Sequence, residues 1–179
     1  YLLKLFQLIY HVFVAKVRRA ERLIEIDKKM DRQSGVPELN LTDHTLLRDD
    51  RLTWRASKQK SVDVLLMLTD KNVIVLRREA NGRFTYKYQK VSAQNNTPNS
   101  KSRLTPLVHL MDDLITKPVA TDTNAFFIIS TEQDVLYELV APTLNERNLW
   151  MEAITKAALN AKNKRKSADV SSFRVNKLD

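Results

Sequence analysis

The sequence predicts a mainly β fold with flanking helices: a seven-stranded, partly open antiparallel barrel, four strands then three, capped by one C-terminal helix and preceded by a long N-terminal helix. Three observations carry this. Short apolar runs between residues 51 and 140 are separated by compact polar turns, the mark of a meander. Thr143 and Glu146, three residues apart after Pro142, form a capping box at the start of the last helix. On that helix Leu144, Trp150, Ile154 and Ala157 or Ala158 recur at helical spacing, so one apolar face centred on Trp150 is available to plug a barrel mouth.

At 179 residues the chain is long enough for one well-buried domain plus an appendage. It has no cysteine, which excludes disulfides, zinc–thiolate sites and thiol nucleophiles and fits a reducing compartment. Two glycines are too few for a Gly-rich phosphate loop. Its three histidines, His11, His44 and His109, stand in unrelated contexts. No catalytic residue, metal site or cofactor is therefore expected, and the chain does not read as an enzyme. The net charge of +9 favours an anionic partner: a membrane surface, nucleic acid or an acidic protein. Part of that charge, Lys162, Lys164, Arg165, Lys166, Arg174 and Lys177, lies in residues 161–179, which read as a disordered basic tail.

Residues 1–17 are strongly apolar, yet Lys4, Gln7 and His11 interrupt them, and a membrane span needs about 20 mostly apolar residues. Arg18 and Arg19 lie on the wrong side of the run for a signal peptide, and no small-residue cleavage site follows. The run reads as a helix buried in a larger domain, and the chain, starting at Tyr1, as a fragment. Over residues 12–32 the period is helical: Val14, Val17, Leu23 or Ile24 and Met30 share a stripe that Arg18, Arg19, Arg22 and Lys28 avoid. Glu25 precedes Lys29 by four, a pair worth about 0.2–0.5 kcal/mol. Ser34, Gly35, Val36 and Pro37 stop the helix. The linker up to residue 50 has Leu39, Leu41, Leu46 and Leu47 as anchor points.

The first strand, residues 51–56, puts Leu52, Trp54 and Ala56 on one face. Residues 62–68 are almost continuously apolar, and residues 73–76 form a third strand. Asn81 and Gly82 mark a hairpin, after which Phe84, Tyr86 and Tyr88 alternate in a fourth. Residues 92–103 are a polar loop, expected to be mobile. Three more strands fall near residues 114–119, 124–130 and 135–140; in the last, Val135, Tyr137 and Leu139 oppose Leu136, Glu138 and Val140.

Residues 65–76, 118–130 and 137–141 resemble the pleckstrin homology (PH) domain of Dbl-type Rho guanine-nucleotide exchange factors, in particular the RGS-containing, leukaemia-associated Rho exchange factor-like subgroup. Trp150 falls where that family has its near-constant helix tryptophan. Residues 15–32 resemble the last helix of the Dbl homology (DH) domain. The resemblance implies four segments: 1–34 the C-terminal helix of a truncated DH domain, 35–50 a linker, 51–160 the PH domain, and 161–179 the tail. It also implies a regulatory module that assists Rho activation and binds GTP-loaded Rho, with exchange itself catalysed by the missing part of the DH domain.

Alternation puts Phe126 and Ile128 on one face of their strand and Phe127 and Ile129 on the other. Either both faces are covered, as in a central strand, or one pair is left outside as a protein-binding patch. By the resemblance, Phe127 and Ile129 are the exposed pair, and Asn145 is a position that touches the GTPase in related factors. Many PH domains bind phosphoinositides through a basic residue late in the first strand and a basic pair in the second. Arg55, Lys58 and Lys60 supply the first part, but residues 62–67 contain no arginine, so only weak attraction to anionic membrane lipids is expected. Trp150, Thr143 and Glu146 are read as structural.

A nucleic-acid binder would use Phe84, Tyr86 and Tyr88 as a stacking row; their shared strand face reads instead as core, and no nucleic acid is expected. The remaining alternative is a phosphoinositide-binding or anionic-membrane-binding PH adaptor module without GTPase contact. The expected location is the cytoplasm, with recruitment to the plasma membrane.

Overall fold

The computed structural model describes residues 2–31, 39–57, 59–85, 107–110 and 112–175, with side chains as far as Ser167. Lys58, Tyr86, Tyr88, the helix stop at 34–37 and the loop at 92–103 lie outside the described residues. In chain order the elements are α1 (Leu2–Lys29), β1 (Met30–Asp31), a 3-10 turn (Leu41–Asp43), β2 (Leu46–Ser57), β3 (Lys60–Thr69), β4 (Asn72–Arg78), β5 (Phe84–Thr85), β6 (Leu107–His109), β7 (Ile115–Val119), β8 (Asp122–Ser130), β9 (Val135–Val140) and α2 (Leu144–Val175).

The strands run in the order β1-β5-β4-β3-β2-β9-β8-β7, with β6 also paired to β4. All neighbours are antiparallel except β1 and β5. The four-strand meander is β2 to β5 and the three-strand group β7 to β9, joined where Thr53 and Trp54 of β2 meet Val140 and Leu139 of β9. This is the expected four-plus-three barrel with a C-terminal helix. Two short strands were not foreseen: β1 and β6, of two and three residues, are too brief to show a period. The β4–β5 hairpin turns at Gly82, whose φ of +77° is one that L side chains rarely adopt.

Two cores share this sheet. Inside the barrel, Leu52, Trp54, Val64, Leu66, Phe126, Ile128, Tyr137 and Leu139 pack on Trp150 and Ile154 of α2. Outside it, Leu23 and Ile26 of α1, with Met30, Leu41, Leu46 and Phe84, pack on Leu65, Met67, Ile74 and Leu76. Hence β3 and β4 are apolar on successive residues: Val62, Val64, Leu66 and Leu68 face in, while Leu65 and Met67 face α1. Leu46 belongs to this outer core, so β2 starts there and the linker expected to reach residue 50 ends at 45.

The first half of α1 carries exposed Leu2, Leu3, Phe6, Leu8 and Phe13, while Leu23 and Ile26 are buried. No helix of the described residues is long and apolar enough to cross a membrane. At the other end, the tail expected to be disordered from 161 continues α2 as far as Val175. Residues 161–175 contain neither glycine nor proline, and the helix is tied down where Arg165 donates to the Leu110 carbonyl (2.8 Å) and to Asp112 (2.7 Å).

Candidate partner-binding face

β7, β8 and β9 are in register, so directly opposed residues share a face. On the inner face Thr116, Ile128 and Tyr137 line up, then Pro118, Phe126 and Leu139. Phe126 and Ile128 are fully buried there. On the outer face the first row is Ile115–Ile129–Leu136 and the second Lys117–Phe127–Glu138. Phe127 and Ile129 are half-buried; their neighbours Ile115 and Leu136 are 43% and 54% exposed. Four apolar side chains thus form one contiguous outward surface across three strands.

A charged rim flanks it. Arg55, at the end of β2, donates to Glu138 at 2.8 Å and to Asp122. Those two hydrogen bonds raise the Arg55 pKa further above its ordinary value. The Asn124 backbone N–H, donating to Asp122 at 2.9 Å, and then the Arg55 guanidinium hold the Asp122 carboxyl below its usual range. Lys117 stands exposed on the opposite side of Phe127. The second row therefore reads cation, aromatic, anion, cation from β7 to β2.

Asp113 fixes the turn between β8 and β9. Its Oδ2 accepts from Glu132 N (2.8 Å), Ser130 Oγ (2.9 Å) and Thr131 Oγ1 (3.3 Å). Gln133 in that turn spans to β6, accepting from His109 N at 2.7 Å and donating to His109 O at 2.9 Å.

The remaining sequence-derived positions are distributed as follows. Asn145 is exposed in the first turn of α2. Trp150 is fully buried, with the Arg48 guanidinium over its ring. Thr143 Oγ1 accepts from Glu146 N at 3.2 Å. The reciprocal half of the capping box does not form among the described residues, and Glu146 Oε2 is buried without a hydrogen-bond partner. Lys60 is exposed at the start of β3, and Lys58 lies outside the described residues. Arg55 is thus brought to the outer face of β8 and β9, engaged by two carboxylates. Ile115 and Leu136 were not singled out by sequence reasoning. Leu136 had a usable signal: it alternates against Val135, Tyr137 and Leu139, three core residues. No group of three or more metal-ligating side chains occurs among the described residues.

Comparison with known proteins matches residues 32–159 to the PH domain family. Among curated proteins, the chain is 37% identical over 126 residues to Rho guanine nucleotide exchange factor 11 of Rattus norvegicus, covering 69% of this chain and 8% of that protein. It is 32% identical over 167 residues to Rho guanine nucleotide exchange factor 1 of Homo sapiens, covering 85% and 18% respectively. The chain thus spans less than a fifth of the length of these relatives. Among solved structures, the DH/PH domains of p115-RhoGEF align with a TM-score of 0.69 and 32% identity, over 84% of this chain and 44% of that one. The complex of PDZ-RhoGEF DH/PH domains with GTPγS-activated RhoA aligns with a TM-score of 0.68 and 29% identity, over 83% and 41%.

Proposed function

The chain belongs to the PH domain family, as the PH domain of a Dbl-type Rho guanine nucleotide exchange factor with the last DH helix ahead of it, and from this premise we propose that it is a regulatory module that docks GTP-loaded Rho on the outer face of β7–β9. The observation that carries this reading is the contiguous surface of Phe127, Ile129, Ile115 and Leu136, apolar side chains turned away from a core that is already filled. A small GTPase is a fitting occupant because the PDZ-RhoGEF structure to which the chain is similar was solved with activated RhoA.

In this reading Phe127 and Ile129 are the central anchors, and Lys117, Glu138 and Arg55 form a polar rim that selects orientation. Asn145 is a further contact. The role is to hold and position a GTPase at the membrane. Exchange belongs to the DH domain, of which α1 is the final helix, and neither a cofactor nor a metal has a part. The lipid-binding alternative is weaker, because Arg55, its first basic residue, is already neutralised by Glu138 and Asp122.

The test is a titration of the chain against RhoA loaded with a non-hydrolysable GTP analogue and against the GDP form. Binding is expected for the GTP form and lost in Phe127→Ala/Ile129→Glu. Undiminished binding by a double variant with an unchanged circular dichroism spectrum sinks the proposal.

A further inference from the structure

Ser167 lies near the point where α2 leaves the barrel. Its Oγ donates to the Asn163 carbonyl of its own helix at 2.9 Å. Lys162, Lys164, Arg165 and Lys166 precede it. Among the described side chains of α2, Arg165 is the last to bond to the barrel, through the Leu110 carbonyl and Asp112, with Lys162 also 3.1 Å from Asp112. Ser167 is exposed and borders an open groove of about 500 Å³, lined also by Leu47, Asp70, Asn163 and Lys164.

We propose that Ser167 is a phosphoacceptor for a serine/threonine kinase whose cleft reads basic side chains upstream of the acceptor. Lys164, Arg165 and Lys166 occupy the three positions before the hydroxyl, and acidic kinase subsites select substrates by such charge patterns. In the transfer, Ser167 Oγ attacks the γ-phosphorus of Mg²⁺-bound ATP held by the kinase. A new O–P bond forms as the bond to the β–γ bridging oxygen breaks. ADP leaves with that electron pair, and the hydroxyl proton passes to the catalytic carboxylate of the kinase.

A kinase cleft takes its acceptor in extended form, so the helix must open at Ser167. Because the cleft also reads Lys164 and Arg165, opening must release the Arg165 bonds to the Leu110 carbonyl and Asp112; at Ser167 itself, serine hydroxyls bonded to the carbonyl four residues back already weaken a helix. The phosphate is a dianion in the interior of α2, and with no proton to donate it loses the hydroxyl's bond to the Asn163 carbonyl and repels that oxygen. In the phosphorylated chain α2 therefore ends near Arg165, and the basic run is largely neutralised. Asp112 controls access, because it holds Arg165 and Lys162 in the helical arrangement.

The experiment incubates the whole chain with the catalytic subunit of a cAMP-dependent protein kinase and Mg-ATP, then maps phosphate by mass spectrometry. Phosphate is expected at Ser167, with incorporation about tenfold lower or less in Ser167→Ala and unchanged in Ser171→Ala/Ser172→Ala. Asp112→Ala leaves the basic motif intact and is expected to raise the phosphorylation rate. Hydrogen exchange should show lost amide protection beyond Arg165 after modification. No incorporation, phosphate on Ser171 or Ser172 alone, or full incorporation in Ser167→Ala overturns the assignment. An Asp112→Ala rate equal to that of the unmodified sequence overturns the tether.

Discussion

The guanidinium carbon of Arg48 sits 4.9 Å from the centre of the Trp150 ring, so a cation from the first residues of β2 covers the aromatic that closes the barrel. Asp50 accepts from Arg48 Nε at 2.7 Å and holds it there. Trp150 is fully buried, and its Nε1 has no hydrogen-bond partner. Replacing it with alanine is expected to cost about 3–5 kcal/mol, from lost burial and the cavity left behind. Arg48→Ala is expected to cost about 0.5–2 kcal/mol through the lost cation–π contact. Trp150→Phe should cost less than the alanine variant, because it also removes the unpaired N–H. Urea denaturation midpoints rank the three.

The second core makes a separate prediction for α1. Ile26 is fully buried against the outer face of β3 and β4, whereas Phe6, on the same helix, is 70% exposed. Ile26→Ala should destabilise the chain by about 2–5 kcal/mol, and Phe6→Ala should stay within about 0.5 kcal/mol of the starting value. Equal effects from both variants, measured by thermal or urea unfolding, would show that α1 does not dock as described.

How far these features were legible depended on period. β8 and β9 showed theirs plainly, because each has one face in the core and one outside: Phe126 and Ile128 against Phe127 and Ile129, Val135 and Tyr137 against Leu136 and Glu138. The run at 62–68 was legible as a strand, but its lack of alternation hid its meaning, since α1 covers the second face. The start of β2 at Leu46 was missed because charged Arg48, Asp49 and Asp50 interrupt the pattern. Those charges are held by tertiary pairing: Asp49 accepts from Arg22 of α1 at 2.9 Å, and Arg48 from β2 lies on Trp150. The length of α2 was misjudged for the same reason. A charged, serine-containing segment scores as disordered until Asp112, far away in sequence, anchors Arg165.

Arg55 tests the membrane-lipid alternative to GTPase docking. Its guanidinium serves Glu138 and Asp122, and its side chain is 36% exposed. Arg55→Ala should therefore leave co-sedimentation with phosphatidylserine-containing vesicles unchanged. It should lower stability by no more than about 1 kcal/mol per pair, given the solvent screening at this site. A clear drop in vesicle binding would restore Arg55 as a lipid contact.

Leu136 should behave as part of the docking surface, as its alternation against three core residues of β9 indicates. It is directly opposite Ile129 and more than half exposed. Leu136→Glu puts a carboxylate in the first outward row without touching the core. It should weaken binding of GTP-loaded Rho about tenfold or more, as a desolvated charge in the centre of an interface does, while the unfolding midpoint moves little. Binding that survives this change would confine the surface to the second row around Phe127.

Asp113 gives the turn between β8 and β9 a pH dependence. Burial pushes its pKa up, but hydrogen bonds from the Glu132 backbone N–H and from Ser130 and Thr131 outweigh that together and hold the carboxyl below its usual value. With the folded-state pKa depressed, the stability it contributes is present above the unfolded-state pKa of about 3.9 and is lost as pH falls through the folded-state value. Asp113→Asn removes the charge at every pH. The variant should be less stable than the parent at pH 7, and the gap should narrow as pH drops below about 4. Parallel stability curves for the two proteins between neutral and acid pH would show that the three hydrogen bonds do not favour the ionised form. The same titration, followed by exchange of the amide of Glu132, reports whether the turn opens where the gap closes, since that N–H donates directly to the carboxylate at 2.8 Å.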